Sequence, residues 1–134
     1  MRSPATLAAV VLFALASAAV PARAAADVPD EPTLPHGLFL TVSGAENTWI
    51  RGVLLKCPPG GPGHHPDAAG ACAALDKADG DLDRLSGNPR ACTKQYEPVT
   101  VSAKGSWRGR AAAWQKTYPN ACVLDAATGP VFRF

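Results

Sequence analysis

Hydrophobic and polar positions fall into distinct blocks along the 134-residue chain. After Arg2, the stretch from Ala5 to Val20 carries no charge and is built mostly of Ala, Val and Leu. Pro21 ends it, and small residues follow at Ala22-Arg23-Ala24 and Ala24-Ala25-Ala26. A positive start, a short apolar run and an A-x-A site read as a secretory signal peptide over residues 1–26. The run is about 16 residues, short of the roughly 20 that span a bilayer, so a leader is expected rather than an anchor. No later stretch is apolar enough to span. The mature chain is therefore expected to be secreted, extracellular and free of membrane. Residues 27–36 hold Pro29, Pro32 and Pro35 among acidic residues and read as a flexible N-terminal arm.

From Gly37 onward the pattern becomes that of a folded domain, expected over 37–134. Gly37 to Ser43 alternates, with Leu38, Leu40 and Val42 on one face, and predicts a strand. Thr48 to Cys57 predicts a second, with Gly44-Ala45-Glu46-Asn47 as the hairpin loop. Pro58 to Pro66 is a Pro/Gly loop. Asp67 can cap a helix in which Ala68, Ala71, Cys72 and Leu75 recur at helical spacing, with Gly80 as its stop. Leu82 and Leu85 suggest a short helical turn. Tyr96 to Ser102 and Ser106 to Lys116 predict two strands joined by a turn at Lys104-Gly105. Val131-Phe132-Arg133-Phe134 alternates as a terminal strand. Several strands and one clear helix predict an α+β fold, helix on antiparallel sheet.

Composition changes this picture in two ways. The chain has 13 Lys and Arg against 11 Asp and Glu. Removing Arg2 and Arg23 with the leader leaves the mature domain electrically balanced. Without a basic block, a nucleic-acid role is not expected. The four cysteines, Cys57, Cys72, Cys92 and Cys122, suggest two disulfides in a secreted chain. Three connectivities are open, of which the sequential one closes the shortest loops.

Most candidate chemistry fails on residue type or spacing. The histidines are His36, His64 and His65. Ser106 lies in Gly105-Ser106-Trp107 rather than a G-x-S-x-G elbow, and oxidised cysteines are no nucleophiles. No enzyme is expected. His64-His65 lies near Cys57 and Cys72, but no C-x₂₋₄-C pair exists, and a solvated loop is expected rather than a metal site. Gly60-Gly61-Pro62-Gly63 lacks the G-K-[ST] ending of a phosphate loop. Asp76, Asp79, Asp81 and Asp83 lack the EF-hand order and read as a solvated helix end. No cofactor is implied. Trp107 and Trp114 read as core aromatics. What remains is Asn88 to Val99: bounded by Pro89 and Pro98, pinned at Cys92, polar in the middle, with Lys94 two residues past the anchor. An exposed basic residue in a secreted loop is what a trypsin-like enzyme attacks. Such a loop survives only if rigid or covered.

This segment resembles the Streptomyces subtilisin inhibitor family. Cys92-Thr93-Lys94-Gln95-Tyr96-Glu97-Pro98-Val99-Thr100-Val101 is similar to that family's C-P-x-x-Y-D-P-V-x-V. The likeness continues in Gly105-Ser106-Trp107-Arg108-Gly109, Asn120-Ala121-Cys122 and the final Val131-Phe132-Arg133-Phe134. Upstream it takes in Cys57-Pro58, Gly60, His65-Pro66, Ala71-Cys72, Leu75 and Gly80-Asp81-Leu82.

The resemblance implies a two-layer α+β sandwich, a five-stranded antiparallel sheet carrying two helices. It implies bridges Cys57–Cys72 and Cys92–Cys122 and a homodimer formed through the sheet. It implies an inhibitor of extracellular serine proteases with the reactive bond Lys94-Gln95, so that Lys94 enters the protease specificity pocket as P1. Arg90, Ala91, Cys92 and Thr93 would fill P5 to P2, and Tyr96 P2′. Asn120 would support the loop from behind, with Pro98 stiffening its far end. Lysine at P1 predicts inhibition of trypsin-like as well as subtilisin-like enzymes. Thr93 replaces a frequent P2 proline, and Ala91 a frequent large P4 residue, which predicts weaker subtilisin binding than a large P4 would give. The competing readings are a secreted binding module that keeps the fold without inhibition, and a small hydrolase.

Overall fold

The computed structural model describes residues 36–58 and 63–134. The leader over 1–26, the arm apart from His36, and most of the Gly60–Gly63 run lie outside the described residues. Among those described, four strands form one antiparallel sheet. They are β1 (Leu38–Ser43), β2 (Ile50–Leu55), β3 (Val99–Trp107) and β4 (Arg110–Tyr118), in the order β2-β1-β3-β4. Two helices, α1 (Ala68–Lys77) and α2 (Ala121–Thr128), join it in a two-layer α+β arrangement.

The alternation in the sequence decides which face is covered. Leu38, Leu40 and Val42 of β1 and Val99, Val101, Ala103 and Trp107 of β3 are buried. They meet Ala71, Cys72 and Leu75 of α1, Leu124 of α2, and Val131 and Phe132. The opposite face carries a hydroxyl ladder, with Thr41 bonded to Ser102 at 2.6 Å and Thr100 to Thr117 at 2.8 Å. Asp67 caps α1 by accepting the Gly70 N–H at 3.0 Å. The helix ends where the Gly80 N–H closes onto the Leu75 carbonyl at 2.9 Å. Leu82–Arg84 forms the expected short helical turn.

The sheet has four strands, not five. The expected terminal strand is a 3₁₀ turn over Gly129–Phe132. Gly129 stands at φ 58° and Pro130 follows it, which starts a turn and withholds a strand donor. Val131 and Phe132 are consecutive and both buried, which an alternating strand facing one core does not allow. The two helices implied by the resemblance are present.

The hairpin reversal also lies elsewhere than expected. Gly105 sits inside β3, opposite Leu38 on one side and Ala112 on the other. The chain turns instead at Arg108 and Gly109, with φ 48° and 75°. Two successive positive φ values suit the twist of a two-residue hairpin, and glycine takes the second without a side-chain clash. Arg108 tolerates the first while its guanidinium lies 4.7 Å over the Trp107 ring and bonds Asp76 at 2.6 Å.

Of the two polar clusters, one differs from expectation. His65 is buried rather than solvated, while His64 is exposed. Its Nδ1 accepts the Asp67 N–H at 3.0 Å, so the ring proton sits on Nε2, which donates to the Val131 carbonyl at 2.9 Å. The acidic residues at the end of α1 and in the turn after it are exposed, and three of them are paired. Asp76 meets Arg108, Asp79 meets Arg110 at 3.1 Å and Asp83 meets Lys116 at 3.3 Å, tying α1 and its following turn to the hairpin. Among the described residues no three His, Cys, Asp or Glu converge on a metal-sized point.

Candidate functional site

Residues 85–98 have no regular secondary structure, yet they are held at several points. Their splint is α2. Asn120 opens that helix, its Oδ1 accepting the Val123 N–H at 2.9 Å as an N-cap. The same side chain turns its Nδ2 outward. It donates to the Thr93 carbonyl at 3.2 Å and the Gln95 carbonyl at 2.8 Å. These two carbonyls flank Lys94. One buried amide thus both starts the helix and fixes the backbone on either side of a single residue. Two residues into the helix, Cys122 is bridged to Cys92. Near the end of the segment, the Glu97 N–H bonds the Pro119 carbonyl at 2.9 Å.

Apart from Cys92, the side chains from Ala91 to Tyr96 are open to solvent, and Arg90 beside them is exposed although it reaches back to α2. Arg90, Ala91, Thr93, Lys94, Gln95 and Tyr96 are all exposed, Tyr96 at 77%. The Lys94 ammonium has no hydrogen-bond or ion-pair partner among the described residues. The disulfide sulfurs of Cys92 and Cys122 are half-buried between loop and helix. Pro98 is half-buried just before β3 and borders a small hollow with Trp49. The second bridge, Cys57–Cys72, joins the end of β2 to α1, away from this segment.

Three contacts of the segment are not legible from residue spacing. Arg90 reaches Asp125 of α2 at 2.7 Å, and Arg133 takes the other carboxylate oxygen at 2.6 Å. Partial burial alone would push the Asp125 carboxyl up. The hydrogen bonds from Arg133 and Arg90, with their charges, outweigh it and hold the carboxyl below the ordinary range. Gly87 lies so close to α2 that a Cβ there would run into the Ala126 carbonyl. Pro119, the third, offers only a backbone oxygen.

A backbone gripped from one side, with the side chains around Lys94 exposed, suits docking into another protein's cleft. Comparison with known proteins gives this architecture a family. The subtilisin inhibitor-like family profile matches residues 34–120. Subtilisin inhibitor-like protein 8 of Streptomyces virginiae is 47% identical over 99 residues, covering 69% of this chain and 89% of that protein. Subtilisin inhibitor-like protein 5 of Streptomyces fradiae is 41% identical over 105 residues, covering 75% and 98%. Among solved structures, Streptomyces caespitosus sermetstatin, crystallised in complex with Bacillus licheniformis subtilisin, is similar at a TM-score of 0.61 and 36% identity. That match covers 73% of this chain and 97% of that one. The chain belongs to the subtilisin inhibitor-like family, whose members are secreted proteinaceous inhibitors of subtilisin-like serine proteases rather than enzymes, acting through a reactive loop.

Proposed function

We propose that this chain inhibits serine proteases by offering Lys94-Gln95 as a substrate-like bond that the protease grips and turns over slowly. The observation that carries this reading is the Asn120 fork on the Thr93 and Gln95 carbonyls, one residue either side of Lys94. Residues 90–96 would lie along the protease cleft and add main-chain hydrogen bonds. Because the cystine and Asn120 remove conformers beforehand, little ordering entropy remains to be lost on docking. After cleavage the Gln95 amine would stay beside the acyl group, so that religation competes with hydrolysis.

Lys94 directs the proposal toward trypsin-like as well as subtilisin-like enzymes. A carboxylate at the base of a trypsin-like pocket would pair with its ammonium in a charge-assisted bond. Removing one partner of such a buried pair costs about 2–5 kcal/mol, or about 30- to several-thousand-fold in affinity. Lys94→Leu is therefore expected to lose trypsin inhibition by that factor while subtilisin inhibition persists. Titration of both enzymes with purified protein reads this. Trypsin inhibition unchanged by Lys94→Leu would remove Lys94 from P1. In the same titration, Ala91→Met should tighten subtilisin binding by filling the P4 pocket, as a buried side chain contributes about 1.5–3 kcal/mol.

A homodimer through the sheet is part of the proposal. Phe39 and Ile50 are exposed at 46% and 63% and border one hollow on the sheet with Thr41, Thr100 and Ser102. Sedimentation of wild type against Phe39→Glu tests it. A monomeric wild type would end that part of the reading.

A further inference from the structure

The segment and α2 run side by side in opposite directions, with contacts in matching order. Gly87 lies against Ala126 and Ala127, Arg90 on Asp125, Cys92 on Cys122, and the Thr93 and Gln95 carbonyls on Asn120. The last two ties fix the segment at and after Cys92. Upstream of the cystine, Arg90 has a side-chain partner in Asp125, and Gly87 a backbone one. The Asp125 side chain is 21% exposed and Arg90 45% exposed, so this is a half-sheltered pair. Arg133, which follows the buried C-terminal turn, bonds the same carboxylate through Nε at 2.8 Å and Nη2 at 2.6 Å. The two arginines take different oxygens of that carboxylate, Arg90 Oδ2 and Arg133 Oδ1, so the Arg90 pair does not pass through Arg133.

We infer that Asp125 is a positioning residue for inhibition. By clamping Arg90 along the flank of α2, it keeps the stretch before the cystine extended in the path a protease must bind. This role rests on the reading of Lys94-Gln95 as the reactive bond. It goes beyond that reading because it assigns part of the loop's stiffness to a helix residue that never touches the protease. Without the clamp, residues 88–91 would be tethered only at their two ends. Each dissociation of the cleaved complex would then find the upstream half harder to realign for religation, so net hydrolysis should rise.

The experiment incubates full-length secreted inhibitor with stoichiometric subtilisin and follows cleavage of the loop by mass spectrometry, alongside the inhibition constant and Tm. Arg90→Ala and Asp125→Asn are each expected to speed hydrolysis of Lys94-Gln95 about two- to fivefold, the upper part of the range for a half-exposed ion pair. The double variant should be no faster than either single one, since both break one contact. Arg133→Ala is the control for a merely structural role. It loosens the C-terminal turn from α2 but leaves the Arg90–Asp125 pair, so it should lower Tm while leaving hydrolysis within about twofold of wild type. Equal hydrolysis in wild type, Arg90→Ala and Asp125→Asn would overturn the inference. So would an Arg133→Ala effect as large as theirs. Failure of the underlying reading looks different: wild type would be cleaved at another bond or would not inhibit, which removes the reactive-bond assignment and this role together.

Discussion

Two irregular stretches of this domain are each pinned by a cystine, and they are held in opposite ways. The described part of the loop that follows Cys57, from Gly63 to Asp67, is fixed by a side chain turned inward. His65 is buried, bonds the Val131 carbonyl and the Asp67 N–H, and meets Phe134 edge-on with ring centroids 5.7 Å apart. The stretch around Cys92 is fixed through its backbone. Asn120 takes two of its carbonyls, Pro119 takes one of its amides, and its side chains stay exposed. The first arrangement converts loop residues into core. The second stiffens a loop while leaving its chemistry free. Stability and presentation are thus served by separate contacts, and they should come apart under mutation.

The largest separation is expected from the two bridges. On the chain-entropy model each cystine contributes about 3–4 kcal/mol to folding. Replacing Cys57 and Cys72 by Ser should lower Tm while the folded fraction still inhibits with unchanged affinity. Replacing Cys92 and Cys122 by Ser should lower Tm by a similar amount and also turn the loop into an ordinary substrate. Calorimetry with a cleavage assay reads both, and equal loss of inhibition in the two pairs would break the contrast. Next in size, His65→Ala leaves the Val131 carbonyl and the Asp67 N–H unpaired, at about 1–3 kcal/mol. Urea unfolding should show that loss, and the inhibition constant should not move. Smaller in stability is Asn120→Ser, which keeps a good helix cap and costs under about 1 kcal/mol there. Its shorter side chain gives up both carbonyl contacts, so loop hydrolysis should accelerate out of proportion to the change in Tm.

The smallest effect concerns pH. The folded-state pKa of Asp125 lies below its ordinary value of 3.8, through Arg133 and Arg90 acting against burial. Its stabilising contribution is therefore complete above that ordinary value and is lost as pH falls through the lower folded value. The Tm difference between wild type and Asp125→Asn should be constant near neutrality and vanish in acid. A difference that grew on acidification would contradict the sign.

How much of this was legible in the sequence follows local rules. The alternation from Leu38 to Val42 and the Asp67 cap are short-range signals, and the structure has both. Val131-Phe132-Arg133-Phe134 also alternates, but Pro130 and the packing of two adjacent side chains override a four-residue pattern. Lys104-Gly105 looked like a turn because glycine follows a charge. Arg108-Gly109 is a weak turn signal, because arginine is an uncommon residue at positive φ. The eight residues of α2 are too few to show a period against a background rich in alanine. Residue identity pointed to Asn120 and Cys122 through the family likeness. It gave no signal for Asp125, whose partners Arg90 and Arg133 lie 35 and 8 positions away and are chosen by the packing of the helix. His65 read as solvated because its neighbours are Pro and Gly, and its burial depends on the far end of the chain.

One consequence of the Asn120 fork reaches past this molecule. A grip that recognises only carbonyl oxygens is indifferent to what hangs from the neighbouring α-carbons. Substitutions at 91, 94 and 96 should therefore cost the scaffold little, and on the reading of Lys94-Gln95 as the reactive bond each would alter which enzyme is caught. On that reading, such a domain could change its target by single substitutions while its backbone grip stayed the same.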